Sequence, residues 1–389
     1  MTTSRRGLLK ALAAVPLLAP AMLRAQDAGR IALAPIHVRD SRLWMPVRFG
    51  GGEAHGFIVD SGSFTNLVSE SLAERLDLRR VGGLTTAGVT GVEHMPAYRA
   101  ADVWLGEVRV GPMLFAAYPQ DGALHPEAAG ALSSRLMTIA DADLDFDAGL
   151  WRLHLDGRAE RTGYAMLPST IRSAGPDEGA AKIDVVLDID GERYSLVLDT
   201  GAPGDVLLAP AAARRSGLWN DRTPFSPIEL RGVGGDARRA RLVRAGRADL
   251  GGIGFDRPLI TLMDPGSGER PFGRSDGLVG LGLIQRLNLS TDVARRRLWA
   301  RPNAQVPRTQ RYGMSGLWLE ERPDGFEVVE LSPRSPAADA GLRRGDRLLG
   351  GTLHGWVRKL GGPRGETIPI AYRRGGETGA TTLTFRDYL

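Results

Sequence analysis

A short carboxylate turn occurs twice in this chain, and each copy follows an apolar, strand-like segment. The two turns are Asp60-Ser61-Gly62-Ser63 and Asp199-Thr200-Gly201-Ala202. One such turn is an ordinary loop motif, because Asp and Ser bond to nearby backbone amides and glycine tolerates unusual backbone angles. Two copies with similar flanks indicate instead that the chain contains a duplicated unit.

The flanks of the two turns align over most of the unit. Residues 130–146 align without gaps with residues 277–293, and residues 105–115 align with residues 250–260. The spacing between the copies drifts by a few positions, which small loop insertions explain because loops absorb length changes cheaply. A unit repeated only twice predicts a pair of pseudo-symmetric lobes and not a solenoid.

Length and composition set the outer limits of this prediction. The 389 residues suffice for two or three domains, and a 42% hydrophobic content with 51 glycines and 24 prolines suits short strands and turns. The net charge of +5 comes almost entirely from arginine. Because the basic runs are short and separated by acids, we expect a solvated surface and no nucleic-acid partner. The absence of cysteine excludes disulfides.

The N-terminus has the pattern of an export signal. A pair of arginines, Arg5 and Arg6, precedes a mostly apolar stretch over residues 11–23, and Ala25 lies at the expected cleavage position. Residues 1–25 therefore resemble a bacterial twin-arginine signal peptide, which predicts a periplasmic or secreted protein. The apolar stretch is too short and too interrupted by proline for a stable membrane span.

The remaining chain divides into three units joined by a loop-like segment. We expect a first lobe over residues 30–156, a linker over 157–181, a second lobe over 182–301 and a C-terminal unit over 312–389. Many short β-branched or alternating segments with turn signals predict a mainly β architecture. Helical patterns are brief, and the two clearest, over residues 67–76 and 208–218, follow the two Asp turns at similar distances.

The two lobes resemble retropepsin-like aspartic protease domains, the compact form of the pepsin lobe, joined here in one chain. The resemblance covers residues 30–301 and implies two lobes that each supply an Asp turn, a flap hairpin and a closing turn. It makes Asp60 and Asp199 the catalytic pair. It also implies that the remaining residues of the two turns hold this pair in position: Ser61, Gly62, Ser63, Thr200, Gly201 and Ala202.

The resemblance also assigns the flaps and the closing turns. The flap and substrate-binding residues that it implies are Gly88, Val89, Thr90 and Gly91 in the first lobe and Gly232, Val233 and Gly234 in the second. The closing turn of the family has two apolar residues and a glycine, as in Leu278-Val279-Gly280. In the first lobe Ser133 replaces that glycine, so we expect the first Asp turn to be braced less tightly.

Paired carboxyl groups have a definite chemical use. Two carboxylates about 3 Å apart cannot both ionise, so one keeps a proton while the other acts as a base on a water between them. Gly62 and Gly201 let the backbone pass close behind the carboxylates. In the family, the hydroxyls at the positions of Ser61 and Thr200 reach across to the backbone of the other lobe. We expect the Ser63 hydroxyl to donate to Asp60, which would leave the shared proton mainly on Asp199.

Other catalytic classes find little support in the sequence. The six histidines include no pair at i and i+4 with a Glu between them, so the helix of a zinc protease is absent. The stretch from Gly273 to Leu278 is better explained as part of the repeat than as the nucleophile elbow of a serine hydrolase. We therefore expect neither a metal nor an organic cofactor.

The C-terminal unit resembles a PDZ domain. The segment from Ser332 to Asp346 matches the strand end, short helix and Gly-Asp turn of the bacterial family. The resemblance implies that a peptide C-terminus adds to the sheet edge of this unit and that loop amides capture its carboxylate. The residues it assigns to peptide binding are Ser315, Gly316, Leu317 and Trp318. A stabilising cap without a ligand is the alternative.

These observations lead to one main hypothesis and two alternatives. The main hypothesis is an exported aspartic endopeptidase that acts on peptide or protein substrates and carries a PDZ module for substrate or partner C-termini. The first alternative is a catalytically inactive periplasmic peptide-binding or scaffold protein on a protease-like frame. The second is an enzyme that needs a dimer, which the second lobe in the same chain makes unnecessary.

Overall fold

The computed structural model describes residues 30–119, 124–158, 160–172, 181–232, 236–268, 271–306 and 311–389. The expected signal peptide, residues 1–25, lies outside them. The described part is mainly β, and its helices are short: α1 Glu70–Arg75, α2 Arg135–Thr138, α3 Pro210–Arg215, α4 Leu281–Ile284, α5 Pro336–Asp339 and α6 Leu353–Leu360. In the parts of the chain described above, no helix has the length and apolar character needed to cross a bilayer.

The first lobe is built around a closed ring of strands. Its strands are β1 Ile31–Pro35, β2 His37–Arg39, β3 Arg42–Phe49, β4 Ala54–Val59, β5 Asn66–Ser69, β6 Arg79–Gly88, β7 Gly91–Leu105, β8 Val108–Tyr118, β9 Gly130–Leu132, β10 Asp141–Asp145 and β11 Leu150–His154. Eight of them form one sheet in the order β2-β3-β4-β9-β5-β8-β7-β6. An additional pairing of β3 with β7 closes the ring, so the inward-facing side chains form a barrel core.

The second lobe repeats this arrangement. Between the lobes lie β12 Ala165–Met166 and β13 Ser169–Arg172, and the lobe itself contains β14 Lys182–Ile189, β15 Glu192–Asp199, β16 Val206–Leu208, β17 Phe225–Leu230, β18 Arg238–Arg244, β19 Arg247–Leu250, β20 Ile253–Asp256, β21 Leu259–Met263, β22 Gly277–Gly280, β23 Leu287–Asp292 and β24 Arg297–Pro302. Its main sheet has the order β17-β18-β21-β16-β22-β15-β14-β19-β20.

The strand registers show the duplication residue by residue. In the first lobe Phe57 pairs in parallel with Gly130, and in the second lobe Leu196 pairs in parallel with Gly277. The antiparallel pairs β5 with β9 and β16 with β22 are equivalent in the same way. The barrel strands β7 and β8 each correspond to two shorter strands in the second lobe, β18 with β19 and β20 with β21. The aligned segments of the sequence therefore occupy equivalent places in the two lobes.

A six-stranded sheet joins the lobes. Its order is β1-β11-β10-β23-β24-β12, so three strands of the first lobe lie beside two of the second. At the junction Asp143 pairs with Ser290 and Leu144 with Leu289. One continuous hydrophobic core extends from this sheet into both barrels. Because the two lobes share a core, their relative position is fixed by packing as well as by hydrogen bonds.

The C-terminal module has a sheet and a core of its own. Its strands are β25 Leu317–Arg322, β26 Gly325–Leu331, β27 Arg347–Leu348, β28 Thr367–Arg374 and β29 Glu377–Thr384, and they form a sheet in that order. Thirteen buried residues, including Phe326, Val328 and Phe385, make up the separate core. The module contacts the second lobe at the start of β17, where the Phe225 amide donates to the Ser332 hydroxyl at 2.8 Å.

Two predictions about local structure differ from the structure. The predicted helices over residues 67–76 and 208–218 begin with strand residues, because β5 and β16 are each paired on both sides inside a barrel. Helix α1 begins only after Ser69, whose hydroxyl accepts from the Leu72 amide at 3.3 Å. The predicted linker over residues 157–181 contributes β12 and β13 in its described part, because Ile171 is buried in the common core.

We predict that Gly130→Ala destabilises the first lobe. A Cβ atom at this position would collide with the Leu67 carbonyl and the Phe57 ring, at the crossing of three barrel strands. We expect a loss of about 3 kcal/mol in the free energy of unfolding, measured by denaturant titration. The control Gly51→Ala places its Cβ in open space and should change this value by less than about 0.5 kcal/mol. Equal effects of the two substitutions would contradict the packing described here.

Candidate active site

The two Asp turns meet at the junction of the lobes. Asp60 follows β4 and its amide donates to the Leu132 carbonyl at 2.8 Å, whereas Asp199 ends β15 beside Gly280 of β22. In both lobes the strand that leads to the Asp therefore pairs in parallel with a second strand, β4 with β9 and β15 with β22. Because the strands are equivalent, the two turns approach one another with their carboxyl groups face to face.

A reciprocal set of hydrogen bonds locks the turns together. The Ser61 hydroxyl donates to the Leu198 carbonyl at 2.8 Å, and the Thr200 hydroxyl donates to the Val59 carbonyl at 2.7 Å. Each hydroxyl also accepts from the amide of the other residue at 3.0 Å. Both side chains are buried. Four buried hydrogen bonds thus run between the lobes directly beneath the carboxyl pair, where each is protected from competition with water.

Glycine is required at two positions behind the carboxyl groups. A Cβ atom on Gly62 would lie 2.6 Å from Oδ2 of Asp199, and one on Gly201 would lie 2.5 Å from Cγ of Asp60. A real Cβ atom does not approach another atom this closely, so no residue other than glycine fits at either position. The glycines of each turn therefore allow the carboxyl group of the opposite turn to come close.

The two carboxyl groups form one hydrogen-bonded pair. They are bonded to each other, and burial raises the pKa of both above the ordinary value for Asp. At Asp60 the charge of Asp199 raises the pKa further. At Asp199 the amides of Gly201 and Ala202, at 2.8 and 3.1 Å from Oδ1, oppose the effect of burial. Asp60 likewise accepts from the amides of Gly62 and Ser63, which oppose the effect of its burial. The two carboxyl groups therefore titrate as one pair that shares a proton.

The Ser63 hydroxyl does not make the hydrogen bond to Asp60 that we expected from the sequence. The Ser63 hydroxyl donates to the Thr65 carbonyl at 2.8 Å and accepts from the Thr65 amide at 3.3 Å, so it does not donate to Asp60. A serine hydroxyl readily closes such a local turn with the residue two positions ahead. Ser63 supports Asp60 through its backbone amide instead. Ala202 supports Asp199 in the same way, with no need for a polar side chain.

The closing turns brace the two Asp turns by different means. In the second lobe Gly280 packs directly against the Asp turn, because a Cβ atom on it would lie only 2.9 Å from the Ala202 carbonyl oxygen. In the first lobe the amide and the hydroxyl of Ser133 both donate to Oδ1 of Asn66, at 2.9 and 3.0 Å. The hydroxyl of the serine that replaces glycine thus adds a buried hydrogen bond that glycine cannot make. Asn66 therefore gives the first lobe a brace that we did not expect from the sequence.

The first flap lies against the second lobe. Gly88 and Gly91 pair at the end of the β6–β7 hairpin, and Val89 and Thr90 form its tip. Val89 packs on an apolar cluster of the second lobe made of Val197, Leu207, Met263 and Leu278. Gly232 lies beside this tip, since a Cβ on it would be 3.4 Å from Cβ of Val89. Val233 and Gly234, the expected tip of the second flap, lie outside the described residues.

Sequence reasoning missed two cations near the carboxyl pair. Arg42 is the first residue of β3 and Lys182 the first of β14, and the charges of Asp60 and Asp199 act on both. A usable signal was present in the sequence, because the two cations stand at nearly the same distance before their Asp turns. Among the described residues, no group of three or more His, Asp or Glu is arranged to hold a metal ion.

The residues assigned to peptide binding in the C-terminal module differ in how deeply they are buried. Ser315, Gly316 and Leu317 are buried, and Leu317 packs in the core of the module. Gly316 has a φ of 73°, and its carbonyl accepts from the Ser332 amide at 2.8 Å. Trp318 is half-buried on the opposite face of β25. The structure thus brings these four residues together at one end of β25.

Comparisons with known proteins agree with this geometry. Residues 45–134 and 185–283 match a family model described as aspartyl protease, and the two segments contain the two Asp turns. A comparison with curated proteins finds no match. The match to the family model supports an aspartic protease.

Among solved structures, similar chains include a basic 7S globulin and an aspartic proteinase. Basic 7S globulin from soybean is 12% identical, with a TM-score of 0.41, over 70% of this chain and 95% of its own. The aspartic proteinase from Irpex lacteus is 13% identical, with a TM-score of 0.41, over 71% of this chain and 98% of its own.

We predict that Thr200→Val weakens both the lobe junction and any activity that depends on the carboxyl pair. The change removes the donor to the Val59 carbonyl and the acceptor for the Ser61 amide, both buried. We expect a loss of about 3 kcal/mol in the free energy of unfolding and about a 100-fold lower kcat. The matched variant Thr200→Ser keeps the hydroxyl and should recover most of both. A Thr200→Val protein as active as the wild type would show that the hydroxyl does not position the pair.

Proposed function

We propose that this protein is an aspartic endopeptidase. The observation that carries the proposal is the buried carboxyl pair of Asp60 and Asp199, hydrogen-bonded across the lobe junction and sharing one proton. The surrounding structure serves this pair, because the glycines allow the approach and the buried hydroxyls hold it. The match of both lobes to the aspartyl protease model supports the same function.

The pair can supply both the base and the acid that peptide hydrolysis needs. In the resting state one carboxyl is ionised and acts as the base on a water between the two, while the other holds the shared proton. The water oxygen attacks the peptide carbonyl carbon as its proton moves to the base, and the acid gives its proton to the carbonyl oxygen. In the second step the carboxyl that gave up its proton takes one back from a hydroxyl of the tetrahedral diol, the C–N bond breaks, and the other carboxyl gives its proton to the leaving amine.

The first flap supplies the cover over the reaction. Its tip contacts the apolar cluster of the second lobe, so the hairpin reaches across the junction between the lobes. We propose that it covers the carboxyl pair there. A substrate must lift this hairpin to enter, and its closure afterwards excludes bulk water from the pair. We propose that Gly88 and Gly91, which flank the tip, let the hairpin bend.

We also propose that the protein is exported and works in the periplasm or outside the cell. The basis is the twin-arginine pattern of residues 1–25, with Arg5 and Arg6 before an apolar stretch. Export by this route suits a chain without cysteine, because the route accepts proteins that have already folded.

A second proposed activity is peptide binding by the C-terminal module, as in a PDZ domain. Strand β25 lies at the end of the five-stranded sheet and α6 packs beside it. Leu353 and Val357, one turn apart on α6, are exposed apolar residues, and Val357 is 63% exposed. An exposed apolar stripe beside an edge strand suits an extended peptide with an apolar terminus.

The catalytic proposal predicts that Asp60→Asn and Asp199→Asn each remove nearly all peptide hydrolysis. Neither carboxyl can act as acid and base at once, so each change should lower kcat/KM by at least about 1000-fold. The control Asp256→Asn changes an exposed Asp and should retain full activity. Turnover of a mixed peptide library, followed by mass spectrometry, measures all three. If one of the two Asn variants stayed active, the shared-pair mechanism would be wrong. A wild-type protein that binds but never cleaves the peptides would favour the scaffold alternative.

The module proposal predicts binding that needs a free peptide terminus. In the full-length Asp60→Asn protein, which cannot consume the peptide, a peptide with an apolar C-terminal residue should bind, and amidation of its terminus should abolish binding. Val357→Glu should weaken binding by about 10-fold, and the control Val81→Glu, at an exposed valine of the first lobe, should not. Calorimetry gives these affinities. Equal binding of free and amidated peptides would identify the module as a structural cap.

A further inference from the structure

Two basic side chains face the carboxyl pair from equivalent places in the two lobes. Arg42 begins β3 and Lys182 begins β14, and the eight residues of these strands have the same pattern of burial. Each strand is the hairpin partner of the strand that carries the catalytic Asp of its own lobe. The pseudo-twofold relation that pairs Asp60 with Asp199 therefore also pairs Arg42 with Lys182.

Each of these cations reaches the Asp turn of the opposite lobe. A guanidinium N–H of Arg42 donates to the Gly201 carbonyl, and Gly201 lies against Asp60. The ammonium nitrogen of Lys182 lies 3.9 Å from the centre of the Phe64 ring, directly after the first turn. Both side chains are half-buried. Because the pseudo-twofold relation exchanges them, the two cations lie on opposite sides of the carboxyl pair, and the charges of both Asp residues act on each.

The charges around the pair do not balance. With one shared proton, Asp60 and Asp199 together carry a single negative charge, whereas Arg42 and Lys182 carry two positive charges. The nearby Asp184 is held by Arg172 through two hydrogen bonds and accepts a third from Ser275. That carboxylate is thus already matched by a cation of its own. The site is left with a net charge of about +1 in a partly desolvated place, where an unmatched charge is costly.

The pKa values of the two cations reflect this imbalance of charge. Burial lowers the pKa of Arg42 and of Lys182 from their ordinary values, and the charges of Asp60 and Asp199 only partly offset it. At Lys182 the Arg172 guanidinium lowers the pKa further. An additional negative group between these cations would relieve the repulsion and recover part of the desolvation cost.

We propose that the cleft selects peptides with an acidic side chain, Asp or Glu, directly before or after the scissile bond, and that Arg42 and Lys182 recognise it. The inference rests on the proposed endopeptidase function and names its substrate class. Arg42 uses one N–H on Gly201 and has others with which to bind a carboxylate. Lys182 has three donors on a flexible stem. Because the two cations flank the pair, one acidic residue on either side suffices.

The test compares matched peptides that differ only in Glu or Gln at the two positions flanking the scissile bond. At pH 6 the Glu side chain is ionised, and wild-type protein should cleave the Glu peptides with a kcat/KM at least about 10-fold higher than the Gln peptides. Arg42→Gln and Lys182→Gln should each reduce this ratio towards one for the peptide whose acid they recognise. The control Arg48→Gln removes the same charge from the same strand, where Arg48 binds the Gly106 carbonyl at 3.0 Å, and should leave the ratio unchanged.

The ratio of kcat/KM between Glu and Gln peptides distinguishes recognition of the acidic side chain from a structural role of Arg42 and Lys182. If Arg42 and Lys182 only hold the lobes together, their loss lowers kcat/KM for Glu and Gln peptides alike, which would overturn the inference. Binding to the Asp60→Asn protein gives a readout that needs no turnover. Wild-type cleavage without a preference for Glu overturns the inference and leaves the proposed function standing. Tighter binding of Glu peptides without any cleavage overturns the proposed function and leaves standing only the recognition of acidic side chains by Arg42 and Lys182. No preference in binding and no cleavage overturns both.

Discussion

The close approach of two carboxyl groups is the constraint on which the rest of this structure depends. Bringing Asp60 and Asp199 into contact is unfavourable, since burial and mutual repulsion both oppose their ionisation. The structure compensates locally, with glycine behind each carboxyl group and buried hydroxyls bonded across the junction. It also compensates at long range, because the six-stranded sheet and the shared core fix both lobes in one register. A small shift of one lobe relative to the other would therefore separate the two carboxyl groups.

Duplication supplies the symmetry of this frame, and local differences then break it. Asn66 binds Ser133 and the Leu114 carbonyl in the first lobe, whereas the equivalent Asp205 binds the Leu259 amide in the second. These contacts keep the same strand crossings with different chemistry. At the carboxyl pair the two turns remain alike, because each carboxyl group accepts from two amides of its own turn. Sharing one proton lets these two similar halves provide an acid and a base.

The parts of the site that could be predicted from the sequence are those encoded by neighbouring residues. The Asp turns, their glycines and the mainly β pattern follow from short motifs and alternation, and the aligned copies gave the pairing of the lobes. The roles of Ser63 and of Asn66 could not be predicted, because each depends on which of several partners lies closest. Arg42 and Lys182 were missed for a different reason. Their equivalent positions are visible in the sequence, but each acts on the opposite lobe, so its role follows only from the way the two lobes meet.

The C-terminal module adds a constraint on the second flap. It binds the start of β17 through the Ser332 hydroxyl and through Tyr388, whose hydroxyl donates to the Phe225 carbonyl at 3.0 Å. Burial raises the pKa of Tyr388, so this donor stays protonated throughout the physiological range. Strand β17 leads directly to Gly232, which contacts the tip of the first flap. The second flap is therefore anchored to the module at its base and meets the other flap near its tip. The paired strands β17 and β18 therefore connect the contact of the module at Phe225 to the contact of Gly232 with the first flap by a hydrogen-bonded ladder.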